Sequence, residues 1–215
     1  MERKITITAS SSTSIKADVI EFDITLLSLN KDYQKSYSDL THQLNQLQND
    51  LSSIGINKDE LKTTTFDVQQ KYNNVRNSDG SYSKEFEGYQ ITHCLVFQQD
   101  FDSSTLAVIL NKLATSQSQP QFNIRFTCKN QKDHTLLLMK QLTKEAKHRA
   151  RLLAKDNGVK ISQLVDIDYS FSDTDFYSPT AFGLCKSNMV EKASIDINPQ
   201  DITISATGKF VWEIQ

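Results

Sequence analysis

The sequence contains few of the residues that mark disulfide-rich or strongly charged proteins. It has three cysteines, three prolines and six glycines among 215 residues. An odd number of cysteines argues against a disulfide framework. Cys128 continues an apolar strand face, which predicts a buried thiol, whereas the roles of Cys94 and Cys185 stay open. The net charge is −2 with 23% charged residues, so the overall balance attracts neither nucleic acid nor an anionic membrane.

Long apolar runs are also missing. No stretch approaches the roughly 20 residues that span a bilayer, and we expect no transmembrane segment. Residues 5–8 already alternate like a strand, so the start of the chain does not resemble a signal peptide. We therefore expect a cytoplasmic protein, or an exported one whose signal has been removed.

Short catalytic motifs are absent as well, including G-x-G-x-x-G, G-x-x-x-x-G-K-[ST], H-E-x-x-H, C-x-x-C and G-x-S-x-G. The four histidines lack the spacing of metal ligands, and His93 lies on an otherwise apolar strand face, as a core histidine would. Asp166 and Asp168 share a polar strand face without a third ligand, which favours solvated carboxylates over a cation site. We predict no catalytic residue, metal or cofactor. A non-enzymatic role is favoured, but whether the protein is an enzyme is left open.

The main positive feature is a unit that occurs twice, consisting of a strand, a long helix closed by glycine, and two more strands. The helices end at Gly55 and Gly158, and in each case a leucine six residues later opens the next strand. Most strands have one apolar and one polar face, which is typical of antiparallel sheets covered on one side. We predict an α+β fold of two duplicated β-α-β-β units, with helices packed on one face of largely antiparallel sheet.

The predicted boundaries follow from this repeat. Residues 1–100 form the first unit with an extra N-terminal strand, 101–119 a linking helix, and 120–215 the second unit with a long loop at 172–200; both units belong to one domain. The first long helix carries an apolar stripe of Tyr33, Tyr37, Leu40, Leu44, Leu47, Leu51 and Ile54. The second runs from about 133 to 157 and is expected to bury Leu138, Leu142, Ala146, Ala150 and Leu153.

A basic stripe lies along the second long helix, formed by Lys140, Lys144, Lys147, Arg151 and Lys155. Such a stripe is a weak candidate for anion binding. No aromatic residues are interleaved to stack on bases, so a solvated helix face is favoured and no nucleic acid partner is expected.

The loop at 172–200 contains an unusual number of apolar residues for its composition. Aromatic side chains in a loop either cover their own domain or become buried against a partner. We predict that Phe176, Tyr177 and Phe182 contact another subunit.

Five segments in order resemble the SIMPL-domain family of bacterial proteins: I-T-I-T-A before K-A-D-V-I-E-F; T-T-T-F-D-V-Q-Q-K-Y; G-Y-Q-I-T-H-C-L-V-F-Q-Q-D-F-D; A-K-H-R-A-R-L-L-A-K-D-N-G-V; and D-I-T-I-S-A-T-G-K-F-V-W-E-I. The resemblance covers nearly the whole chain. It implies a largely uncharacterised family that is often exported to the periplasm or envelope, is sometimes linked to oxidative stress, and includes members that form large rings. It supplies no catalytic residues.

These observations lead to two functional hypotheses. The first is a non-enzymatic, self-associating binding or scaffold protein of the SIMPL type, acting as a homo-oligomer in bacterial stress or envelope physiology. The alternative is a hydrolase or a small-ligand-binding protein that uses a cleft between the two units. A deep apolar pocket with convergent polar groups would favour the alternative.

Overall fold

A computed structural model describes residues 3–76, 78, 80–173, 175–181 and 197–215. Within these residues the strands are β1 (Lys4–Ile15), β2 (Val19–Asn30), β3 (Lys62–Arg76), β4 (Tyr82–Asp100), β5 (Gln121–Thr127), β6 (Ile161–Asp173) and β7 (Ile202–Ile214). The helices are α1 (Tyr33–Ser52), α2 (Ser103–Thr115) and α3 (Gln131–Asp156), and a short 3-10 helix spans Lys58–Glu60.

The strands form two antiparallel sheets, which confirms the predicted α+β class. One sheet has the strand order β1-β7-β6, and the other has the order β3-β4-β2-β5. The described chain divides into two compact units. Unit 1 contains the described residues up to Asp18, Phe126–Thr180 and Pro199–Gln215, and unit 2 contains Val19–Arg125 with the described part of Ala181–Asn198.

Unit 1 is built on the three-stranded sheet, with α3 packed against β1 and β7. The apolar face of α3 begins at Leu138 and continues through Leu142, Ala146, Ala150 and Ala154, all of which are buried. The prediction that Leu153 points inward is wrong, because its side chain is 46% exposed. The four-residue spacing of the earlier buried positions simply continues to Ala154.

Unit 2 is built on the four-stranded sheet, with α1 packed on β2 and β4 and with α2 packed on α1. The rings of Phe22 and Phe97 stack in its core with centroids 4.7 Å apart. On α1 the buried residues are Ser36, Leu40, Leu47 and Leu51. The predicted inward positions of Tyr33 and Tyr37 are wrong, since these side chains are 40% and 48% exposed. The completely buried Ser36 occupies the inward position between them.

The two sheets do not correspond to the two halves of the sequence. In the sequence repeat, β5 begins the second half, but in the structure it joins the sheet that contains β2. β1 is the extra N-terminal strand of the first half, and it pairs with β7 from the second half. Alternation along a strand fixes which face is buried but not which neighbour the strand pairs with, so sequence could not reveal this exchange. The duplication of residues 1–100 and 120–215 stays a prediction about the order of elements.

Candidate functional site

Five aromatic side chains of unit 2 form a continuous row, which we call the aromatic strip: Tyr37, Tyr33, Tyr89, Phe86 and Tyr72. Successive ring centroids along the row lie 6.4, 5.8, 5.4 and 5.6 Å apart, mostly edge to face. The strip runs from the first turn of α1 across β4 to β3. The tyrosines at 33, 37 and 72 are each at least 40% exposed. Unit 2 therefore presents a large aromatic surface to solvent.

The first turn of α1 projects these tyrosines outward because polar contacts bury the residue between them. Asp32 caps the helix, its carboxylate accepting hydrogen bonds from the backbone amides of Gln34 and Lys35. Ser36 Oγ donates to the carbonyl oxygen of Tyr89 at 2.9 Å and lies 2.9 Å from Ser28 Oγ. Since the Ser36 hydroxyl donates its hydrogen bond to Tyr89, the Ser28 hydroxyl is the donor in the bond between the two serines.

Strand β3 extends the exposed apolar surface along the edge of the same sheet. Phe66 and Val68 pair with His93 and Ile91 of β4, so they lie on the face whose centre forms the core. Because α1 packs on β2 and β4, this face remains open at β3, where Phe66 is 50% and Val68 is 41% exposed.

His93 is a buried core histidine, as predicted. Its Nε2 atom lies 2.9 Å from Thr63 Oγ1, and its ring meets Phe66 edge to face at 5.3 Å. Burial lowers the pKa of His93, which favours the neutral ring. Its contacts position Phe66 at the edge of the sheet.

The structure divides the predicted basic stripe into two parts. All five side chains are exposed. Lys140, Lys144 and Lys147 lie along the body of α3, whereas Arg151 and Lys155 line a groove of about 580 Å³ at its C-terminal end. The groove also contains Lys160, which the sequence pattern did not include because it follows the helix.

The predicted interface residues lie partly outside the described chain. Phe176 and Tyr177 are half-buried, and Phe182 lies outside the described residues. Phe176 packs against the core of unit 1, and its carbonyl oxygen accepts a hydrogen bond from Thr127 Oγ1 at 2.6 Å. Tyr177 forms an isolated antiparallel bridge with Thr127. Contact of these residues with another subunit stays a prediction.

The other residues considered from the sequence are an acidic pair on β6 and the three cysteines. Asp166 and Asp168 are exposed on β6, as predicted. Cys128 is buried, and burial, with a smaller effect of the Asp18 charge, raises the pKa of its thiol. Cys94 is half-buried, with its Sγ 3.7 Å from Thr25 Oγ1, while Cys185 lies outside the described residues. Among the described residues, no group of three or more His, Cys, Asp or Glu side chains is placed to hold a metal ion.

No helix in the described part of the chain is both long and apolar enough to cross a membrane. The two antiparallel sheets and their helices define an α+β protein. The chain belongs to the SIMPL family, described as "Protein of unknown function (DUF541)", whose profile matches residues 5–212. The family description assigns no role to any residue discussed above.

Comparison with solved structures and curated proteins adds little. A crystal structure of a hydrolase from Listeria innocua is 10% identical, with 95% of this chain and 92% of that chain covered, at a TM-score of 0.15. That score is too low to indicate a shared fold, and the likeness supports no functional argument. The comparison with curated proteins gives no match.

Proposed function

We propose that this SIMPL-family protein is a non-enzymatic scaffold that self-associates through the aromatic strip and the adjoining edge strand β3, and acts in bacterial stress or envelope physiology. The observation that supports the proposal is the exposure of the tyrosines at the ends of the strip beside an open, apolar sheet edge. Tyrosine and phenylalanine are enriched in protein interfaces, where they provide large contact areas at low entropic cost.

The edge itself is suited to pairing with another strand. β3 begins with Lys62 and has register shifts between Thr63 and Thr65 and between Lys71 and Tyr72. The regular stretch from Thr65 to Gln70 has Asp67 as its only charge and contains no proline, glycine or lysine. Those residues are the ones that commonly protect edge strands from pairing with other chains. Backbone groups at an unprotected edge can hydrogen-bond to a second strand, while neighbouring side chains provide the specificity.

The side chains add apolar surface to such a pairing. Complete burial of a side chain such as Val or Phe contributes about 1.5–3 kcal/mol. Phe66, Val68 and Tyr72 are each roughly half exposed, so burying the remainder yields a fraction of that value for each. In a symmetric pair both copies contribute these side chains and the exposed rings of the strip, and this gain opposes the translational and rotational entropy lost on association, about 4–15 kcal/mol.

A pair of matched variants tests the proposal. Val68→Lys places a charge in the middle of β3, and Val108→Lys makes the same change on α2, where the valine is 52% exposed and outside the strip. In sedimentation velocity, we expect Val68→Lys to reduce the oligomer to a smaller species and Val108→Lys to leave it intact. Circular dichroism should show that both variants fold. Equal sedimentation of all three proteins as one oligomer would rule out the β3 edge as the interface.

A further inference from the structure

We propose that the groove at the C-terminal end of α3 binds a small amphiphilic anion, with a carboxylate head and an aliphatic tail. We call it the cationic groove. Its lining consists of Arg151, Ala154, Lys155, Gly158, Val159, Lys160 and Ile161. All of these residues belong to unit 1, whereas the aromatic strip belongs to unit 2.

The backbone that carries the groove is firmly held. The Gly158 amide donates to the Lys155 carbonyl at 3.2 Å, and the Val159 amide donates to the Ala154 carbonyl at 2.9 Å. This is the Schellman arrangement, with Gly158 at a φ of 66°. Lys160 then exchanges two backbone hydrogen bonds with Gln215, of 2.8 and 2.9 Å. The groove is therefore built on a fixed backbone.

In the part of the chain that the structure describes, no acidic side chain lines the groove. Arg151 and Lys155 are four residues apart on α3, a spacing at which like charges repel. Lys160 adds a third cation to the same lining. Among the described residues, no ion pair involves any of these three side chains. A bound carboxylate would relieve the repulsion and accept charge-assisted hydrogen bonds.

The remaining lining specifies the rest of the ligand. Ala154, Val159 and Ile161 are apolar, and the groove volume of about 580 Å³ lies within the usual range for small-molecule sites. Within the described part of the chain, no aromatic side chain lines the groove, so these residues offer no platform for stacking nucleic acid bases. A charged head beside the cations and an aliphatic tail along the apolar residues satisfy both parts of the lining.

The corresponding turn in unit 2 shows that these properties do not come from the turn alone. Gly55 closes α1 with the same pair of hydrogen bonds, from Gly55 to Ser52 and from Ile56 to Leu51. The hollow beside it measures about 230 Å³ and is lined partly by α2, and none of the described residues that line it is charged. The three cations and the larger volume are specific to the end of α3.

Calorimetric titration with dodecanoate below its micelle concentration tests the proposal. Arg151→Gln, Lys155→Gln and Lys160→Gln together remove the three cations. The matched control is Lys132→Gln, Lys140→Gln and Lys144→Gln, which removes the same charge from the same helix at positions seven or more residues from Arg151. We expect the groove variant to weaken dodecanoate binding by about tenfold or more, since charge-assisted contacts are lost. The control should stay within about twofold, because distant sites act independently.

Three further measurements distinguish recognition of the carboxylate head, recognition of the aliphatic tail and general attraction to the protein. Val159→Ser retains the cations and should still weaken dodecanoate binding, while inorganic phosphate and dodecyltrimethylammonium should each bind more weakly than dodecanoate. Phosphate binding as tight as dodecanoate would overturn the amphiphilic ligand class. Equal weakening by the groove and control variants would indicate unspecific attraction to α3 and would overturn the site. Unchanged dodecanoate binding in the groove variant would also overturn it. So would the absence of dodecanoate binding to the unmodified protein.

Discussion

Ser28 Oγ on β2 lies 2.9 Å from Ser36 Oγ on α1, and this buried hydrogen bond sets the orientation of the first turn of the helix. The Ser36 hydroxyl in turn donates a hydrogen bond to the carbonyl oxygen of Tyr89 on β4. The small polar residue is thereby held against the sheet, and the tyrosines on either side of it point outward. The exposed aromatic strip depends on this contact.

Ser36→Ala should therefore lower the free energy of unfolding by about 1–3 kcal/mol, because the hydrogen bonds that Ser36 makes with Ser28 and with the Tyr89 carbonyl are both lost. Urea denaturation measures the change. The rings of Tyr33 and Tyr37 should also become less ordered, which aromatic proton NMR would detect. A stability change below about half a kcal/mol would show that the hydroxyl network contributes nothing specific.

Leu47→Ala should cost about 2–5 kcal/mol, since the side chain is completely buried and its removal leaves a cavity. Leu152→Ala is the matched control, because that leucine is 52% exposed on α3 and its truncation should change stability by less than about half a kcal/mol. Both are measured by urea denaturation. Equal costs for the two leucines would contradict the observed packing.

Acid should destabilise the protein through His93. Burial lowers its pKa from the ordinary value of 6.5, so the unfolded chain binds the proton more readily than the folded chain. The contribution of His93 to stability is therefore unaffected above about pH 6.5, falls as the pH drops from about 6.5 to the lowered folded pKa, and is constant below that pKa. Between about pH 7.5 and pH 5.5, the free energy of unfolding should fall more for the unmodified protein than for His93→Gln. Identical losses would assign the pH dependence to other groups.

Phe176→Ala separates the two roles of the loop aromatics. The ring packs against the core of unit 1, so its removal should reduce the free energy of unfolding by about 1–3 kcal/mol. A subunit contact at Phe176 would in addition lower the sedimentation coefficient. Unchanged stability combined with a smaller oligomer would instead support the subunit contact that the loop composition predicts.

The sequence was informative where local chemistry determines the structure. The glycines at 55 and 158 take positive φ angles of 92° and 66°, as expected for residues that close helices. The strand alternation correctly predicted antiparallel sheet and the α+β class. The buried positions of His93 and Cys128 followed from apolar neighbours on their strands.

The candidate sites were harder to predict from the sequence because they depend on tertiary contacts. Tyr33 and Tyr37 fit a helical apolar stripe, and nothing local indicates that a serine between them is held inward by β2 and β4. Arg151 and Lys155 were visible as part of a stripe, but the groove also requires Lys160, which the backbone of Gln215 fixes beyond the helix. Neither arrangement can be derived from periodicity alone.

Self-association is the central claim, and sedimentation equilibrium of the unmodified protein tests it most directly. The chain has a mass of 24.4 kDa. Across a range from low to high micromolar concentration, we expect a mass that rises to a defined multiple of this value. A single species of 24.4 kDa throughout that range would contradict the account.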